Sequence, residues 1–330
     1  MFHDLSPRSR EDQMIAEGLK VLRERIAAAK IPSSKLDESL NFATWNVRDF
    51  GKSRRSKAAI HYIAEIMGQF DLIALVELRD KLDDLRRVLN ILGPYWKVIF
   101  NDFDTDAAGN RERVAFVYDQ RMVYFTGLAA EAGEPRKKNR TTKKYESAFN
   151  WWRSPYMASF VAGNFDFMLV ATHIRWGSGE DDRMEEIEAL AQWISKRVKE
   201  KGAFDRDIIA CGDFNIPSVK SDLYKAFSSR GWTMPRSIIE GSKGSNLEAK
   251  KRYDQILYNS KFTTLDNPKG GVLDFYQGDF APLFPAEFFP GKTKKDLTWE
   301  LSDHLPLWMQ IDTWSDDETL DQIIRSKKPG

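Results

Sequence analysis

IIACGDFNIP, residues 208–217, is an apolar run that halts on Gly-Asp-Phe-Asn and is closed by a proline. Gly212 allows a bend or a close backbone approach, and Pro217 keeps the strand from continuing. Alternation along a strand puts Asp213 and Asn215 on one face, at the mouth of a single loop. Aspartate and asparagine at such a place also form simple Asx turns, so the stretch alone leaves a capping role and a chemical role open. The decision comes from what the chain repeats elsewhere.

Working outward, FDFMLVATHI (165–174) reads as a preceding strand. Residues 180–200 between the two carry Met184, Ile187, Leu190, Ile194 and Val198 at helical spacing. An earlier block has the same plan. NFATWNV (41–47) is strand-like, residues 57–68 are helical by Ile60, Ile63, Ile66 and Met67, and DLIALVEL (71–78) is a buried strand. In both blocks the first strand ends on a polar residue, Asn46 or His173, followed by Arg and Gly in VRDFG and IRWGSG. The second strand ends on an acid, Glu77 or Asp213. Strand–helix–strand order predicts α/β units with ligands beyond the carboxyl ends of the strands. The doubled plan therefore predicts that four polar residues converge on one edge of the molecule.

Between the blocks, YWKVIFND, RVAFVYD and MVYFTG alternate like short strands, and RKKNRTTKK (136–144) reads as a mobile basic loop. Later come the strand YDQILYN, a Gly/Pro/Phe-rich connection over 266–296, and a last strand in HLPLWMQI. Residues 9–30 predict an amphipathic helix through Met14, Ile15, Leu19, Leu22 and Ile26, stopped before Pro32. Its apolar face is expected to pack on the body, and its charged face could instead dock a protein partner. The expected organisation is an N-terminal helical extension (1–38), one catalytic domain (39–313) and a C-terminal tail (314–330).

Fifty basic against 49 acidic residues leave a net charge of +1, so any polyanion site must come from local clustering. The single cysteine, Cys211, excludes an intrachain disulfide and fits a reducing compartment. The start, MFHDLSPRSREDQ, lacks the apolar core of a signal peptide, and no run is long enough to span a membrane. A cytoplasmic location is expected. Of the four histidines, His173 and His304 sit at strand boundaries beside polar residues. Glu77, Asp213, Asp303 and the amides Asn46 and Asn215 offer oxygen donors, which suit Mg²⁺ or Mn²⁺ better than Zn²⁺. CxxC, HExxH, GxxxxGK[ST] and GxSxG patterns are all missing. A hard cation, imidazoles and arginines together point to phosphoryl chemistry.

WNVRDFG, ALVELRD, ATHIRWG, CGDFNIP, YDQI and SDHLP occur in the order found in the endonuclease/exonuclease/phosphatase superfamily. Over residues 40–312 the chain most resembles the deoxyribonuclease I-like branch. The resemblance implies a four-layer α/β sandwich, two packed mixed β-sheets flanked by helices. It also implies a divalent-metal phosphodiesterase, an intracellular DNA endonuclease of low sequence specificity. By the same resemblance, Glu77 is the principal metal carboxylate, with Asn46 and Asp303 close to the ion or its waters. His304 is the general base, oriented by Asp254, and His173 is the general acid, supported by Glu112 of NRERVAF. Asp213 and Asn215 orient nucleophile and phosphate, with Asp213 the rival for the base. Arg48, Arg79 and Arg153 face phosphate or groove.

Departures matter as well. Apurinic-site endonucleases carry an acid where Arg48 stands and usually no histidine at His173, which argues against abasic-site repair. Secreted deoxyribonucleases carry a signal peptide and disulfides. The tyrosine that stacks on deoxyribose there is replaced near Asn110. The basic run 136–144 and Lys250-Lys251-Arg252 are the candidate backbone contacts. Two rival functions stand beside the nuclease. One is hydrolysis of a small or lipid phosphoester, kept open by the Phe-rich FAPLFPAEFF (280–289). The other is a non-catalytic binding scaffold.

Overall fold

The computed structural model describes residues 1–103, 110–265, 267–313, 320, 323 and 324, so most of the expected C-terminal tail lies outside the described residues. Both predicted strand–helix–strand blocks are present. The first is β1 (Ser39–Phe50), α2 (Lys57–Met67) and β2 (Leu72–Leu78), preceded by α1 (Arg10–Ala28). Ser56 caps α2 by accepting from the Ala59 amide. Ile60, Ile63, Ile66 and Met67 are buried, each contributing about 1.5–3 kcal/mol. After α3 (Asp83–Leu92), β3 (Trp96–Phe100), β4 (Arg113–Asp119), β5 (Tyr124–Glu131), β6 (Arg136–Lys138), β7 (Tyr145–Ser147) and β8 (Tyr156–Ala162) comes the second block. It consists of β9 (Phe165–His173), α4 (Glu180–Arg197) and β10 (Ile208–Asp213). The remaining elements are α5 (Asp222–Ser228), β11 (Trp232–Thr233), α6 (Arg236–Glu240), β12 (Asp254–Asn259), β13 (Lys269–Val272), α7 (Lys294–Thr298) and β14 (Leu307–Asp312).

Two mixed six-stranded sheets result, ordered β13-β14-β1-β2-β4-β3 and β11-β12-β10-β9-β8-β5. Each has one parallel pair at its centre, β1 with β2 and β9 with β10, flanked by antiparallel neighbours. The sheets pack face to face and helices flank them, the four-layer α/β sandwich expected from the sequence. Phe116 on β4 stacks on Tyr156 of β8 across the interface, ring centres 5.4 Å apart. Register does the functional work. Asn46 lies opposite Val76, so Asn46 and Glu77 leave the first sheet together. His173 lies opposite Asp213, so they leave the second sheet side by side.

Gly212 of IIACGDFNIP has φ +125°, and a β-carbon there would stand 2.0 Å from the Thr172 carbonyl on β9. That close approach is what lets β10 run into its polar end. Gly212→Ala is expected to lower stability by about 2 kcal/mol or more. A urea midpoint equal to that of the parent, at equal slope, would show that the two strands can separate at no cost.

Three further segments stand out, two of them against expectation. The start of the chain is tied down: Phe2 N donates to Ile91 O at 2.6 Å, and His3 bonds to His61 and Glu65, both at 2.8 Å. With Arg23 also on Glu65, the carboxylate is held down at about 2 against the opposing effect of burial. Met14, Ile15, Leu19, Leu22 and Ile26 of α1 are buried in the common core, which leaves only the charged face for a partner. The segment 136–144 is an ordered hairpin rather than a mobile loop. FAPLFPAEFF also turns inward: Phe280, Leu283 and Phe284 are buried, and Tyr62 donates to Leu283 O at 3.0 Å. Among the described residues no helix is long and apolar enough to cross a membrane.

Candidate active site

The polar residues of the two parallel pairs meet at one end of the sandwich. β1 and β2 shift register between Asn46 and Phe50, a bulge that re-aims the strand end. Glu77 takes φ +62°, a left-handed conformation that a glutamate adopts only when its surroundings impose it, at a cost of about 1–3 kcal/mol. What imposes it is visible. Its Oε1 accepts from Asn46 Nδ2 at 2.8 Å and its Oε2 from the Asp49 amide at 2.8 Å.

Two groups of side chains lie within 4.8 Å of one another: Glu77, Glu112 and His173, and Asp213, Asp254 and His304. Each histidine is anchored by an acid from the opposite sheet. His173, ending β9, bonds through Nδ1 to Glu112 Oε2 at 2.7 Å, just before β4. His304, just before β14, bonds through Nδ1 to Asp254 Oδ2 at 2.8 Å, at the start of β12. Both leave Nε2 facing Asp213 Oδ2, 3.6 Å from each. Asn46 Nδ2 also reaches Asp213 Oδ2 at 3.1 Å, joining the two groups.

Charge explains the proton affinities. Burial and Arg153 push the His173 imidazole down, but Glu112 and Asp213 outweigh them and the net shift is upward. Burial opposes charge on His304 too, and Asp254 and Asp213 raise it well above its ordinary value. Burial would raise Glu112, yet His173, Arg153 and Asn110 hold it down at about 2, so it stays ionised.

The arginines are engaged. Arg153 Nη2 meets Glu112 Oε1 at 2.9 Å. Arg79 lies 3.3 Å from Asp49 and 3.4 Å from Glu112. Arg48 pairs with Asp303 at 3.4 Å, bonds to Thr298 and stacks over Trp299. Asp303 therefore belongs to neither acid–histidine group. Asn215, at φ +53°, gives its side-chain amide to Ile174 O at 2.8 Å and its backbone N–H to Asp213 Oδ1 at 2.9 Å. The Asx-type turn left open for GDFN is present, and the other Asp213 oxygen faces two imidazoles.

Some contributors carried weaker signals. Ser302 Oγ donates to Asn46 O at 2.6 Å and accepts from His304 N at 2.9 Å, linking two motifs 256 residues apart. Ser245 Oγ accepts from the Asp254 amide at 2.9 Å. Glu186 of α4 is buried and accepts from Arg175 N at 3.1 Å, fixing the loop after His173. Its signal was a charged residue on the face of a helix otherwise predicted to be buried. Trp176 stands exposed on that loop, with Arg183 over it at 4.5 Å and Tyr253 edge-on at 5.5 Å.

The donor set fits a hard divalent cation. Glu77, Glu112, Asp213 and Asp254 bring four carboxylates together, and Oδ1 of Asp254 is buried with no hydrogen-bond partner. Glu77 supplies the oxygen corner, and the Asn46 amide meets it through Nδ2 while its Oδ1 accepts from the Arg48 amide.

A family model described as Endonuclease/Exonuclease/phosphatase family matches residues 43–304. A protein named deoxyribonuclease from Thioalkalivibrio sp. (strain K90mix) is 26% identical over 307 residues, 84% of this chain and 72% of that protein. Deoxyribonuclease-1 of Sus scrofa is 27% identical over 187 residues, 54% of this chain and 60% of that protein. Among solved structures, the human Nocturnin catalytic domain aligns at TM-score 0.53 and 15% identity, over 84% of this chain and 95% of that one. A mannosyl-6-phosphatase from Bacteroides thetaiotaomicron aligns at TM-score 0.52 and 16% identity, over 82% and 98%. These two likenesses show a shared fold. The match across residues 43–304 places the chain in the endonuclease/exonuclease/phosphatase family, hydrolases of phosphoester bonds that use a divalent metal.

Proposed function

We propose that this protein is a DNA endonuclease of low sequence specificity, working with Mg²⁺ or Mn²⁺. The observation that carries it is the pair of acid-anchored imidazoles whose free Nε2 atoms converge on Asp213. A phosphodiester needs one proton taken from water and one given to the leaving oxygen, and two such imidazoles supply both. The named relatives are deoxyribonucleases, which favours DNA over other diesters.

In this proposal His304 is the base. Its Nδ1–H is held by Asp254, and the acids that raise its proton affinity make it a strong base once Nε2 has given up its proton, with Asp254 balancing the imidazolium that re-forms. His173 enters protonated, kept so by ionised Glu112, and gives its Nε2 proton to the leaving oxygen. Asp213 orients the attacking water between them, and Asn215 holds the loop that presents Asp213. Arg153 and Arg79, at the edge of Glu112, face the non-bridging oxygens, while Arg48 faces the flanking backbone. Glu77 and Asn46 would hold the metal, with Asp303 at its periphery. Bound there, a divalent cation supplies charge stabilisation on the phosphate.

A lipid substrate loses its main support, because FAPLFPAEFF is packed inward at Phe280, Leu283 and Phe284. The test offers plasmid, single-stranded DNA, RNA, phosphoinositide and sphingomyelin with and without EDTA. Plasmid nicking that stops on chelation and returns with Mg²⁺ or Mn²⁺ is expected. Full activity under thorough chelation would end the metal mechanism, and turnover of a lipid alone would end the nuclease.

A further inference from the structure

β6 and β7 form a free-standing two-stranded ribbon. Arg136, Lys137 and Lys138 pair with Ser147, Glu146 and Tyr145. Two further rungs extend it: Ala148 N donates to Pro135 O at 2.7 Å, and Asn139 N to Lys144 O at 2.8 Å. Five rungs give a reach of about 17 Å. The tip is braced from within. Asn139 Oδ1 accepts from the Thr141 and Thr142 amides, and its amide nitrogen donates to Glu146 at 2.9 Å. Thr142 also donates to Glu146.

That bracing has an electrostatic result. Glu146, the acid within the ribbon, is occupied by neutral donors. Among the described residues none of Arg136, Lys137, Lys138, Arg140, Lys143 and Lys144 forms an ion pair with a carboxylate, although many of the arginines and lysines elsewhere do. Six like charges on nine consecutive residues repel one another, and no ion pair among the described residues offsets that. The root lies beside the site: Glu131 pairs with Tyr156 at the start of β8, three residues after Arg153. Pro135, Arg136, Lys137, Ala148 and Phe149 line the open groove against α4, and Arg140, Lys143 and Lys144 at the tip are exposed.

We propose that this ribbon is a preformed arm that enters a groove of duplex DNA and grips its phosphates beside the cleavage site. A two-stranded ribbon fits the major groove, and the lysines and arginines along β6 and around the tip are placed to meet phosphates. A single strand would call for a row of stacking aromatics, and the ribbon exposes one, Tyr145, with Lys138 over its ring at 5.9 Å. The arm rests on the nuclease proposal for its setting, but its binding is measured without cleavage.

The experiment uses the full chain in EDTA with a fluorescent 30-base-pair duplex, titrated by anisotropy across a range of salt concentrations. The comparison is a variant with all six basic residues changed to glutamine and its fold checked by urea midpoint. Affinity for duplex should fall at least tenfold, and the slope of log Kd against log salt should drop by about 3–5. Unchanged affinity and slope would overturn the arm even if the protein cuts DNA. An equal loss on a single strand of the same length would overturn the groove assignment. Duplex binding through the arm without any DNA cleavage would end the nuclease proposal and leave the arm standing.

Discussion

Glu77→Gln is expected to cut phosphodiester turnover by about 10³-fold or more while leaving the protein folded. Removing one charge from the oxygen corner forfeits several kcal/mol of charge stabilisation, and each 1.36 kcal/mol is about tenfold in rate. Shape is nearly conserved, so the structural cost is small and can be estimated separately. The carboxylate now accepts from Asn46 Nδ2 and from the Asp49 amide. A carboxamide satisfies one of these with its oxygen and sets its NH₂ against the other, a loss of about 1–3 kcal/mol. Stability should therefore fall modestly and activity steeply. Metal binding measured by calorimetry separates the causes: weaker Mn²⁺ affinity in the variant is the expected result. Parent-like affinity would move the metal away from Glu77.

His304→Ala and His173→Ala are each expected to lose about 10²–10⁴-fold in turnover on DNA, the span of general acid–base catalysis. The double variant should be little worse than the worse single one, because groups that act as a unit are strongly non-additive. The mirrored geometry makes the two histidines hard to tell apart in the resting site, since both Nε2 atoms stand 3.6 Å from the same Asp213 oxygen. Their roles separate by leaving group. A nitrophenyl diester departs without needing a proton, so it should largely rescue His173→Ala and not His304→Ala. Equal rescue of both, or of neither, would show that acid and base have been assigned wrongly.

The chain by itself determined most of the strands, both parallel pairs among them, and the residue types at their ends, but not β8, β11 or β13. Apolar runs such as DLIALVEL and IIACGDFN report burial on both faces of one element, and a polar residue that ends such a run must find a partner or a ligand. That local logic reached Asn46, Glu77, His173 and Asp213, and the motif order then pointed to His304, Asp254 and Glu112. Tertiary structure decided who pairs with whom. His173 takes Glu112 from 61 residues away, and His304 takes Asp254 from 50. Each pair joins opposite sheets, and no periodicity within one strand encodes how two sheets face each other. The same reason explains Asn215, whose amide is committed to Ile174, and Asp303, whose carboxylate is met by Arg48. For the basic run the strand propensity is poor, and composition reads as solvated loop. The backbone ladder and the bond from Asn139 to Glu146 make it a ribbon, because those contacts form once the chain has turned back on itself.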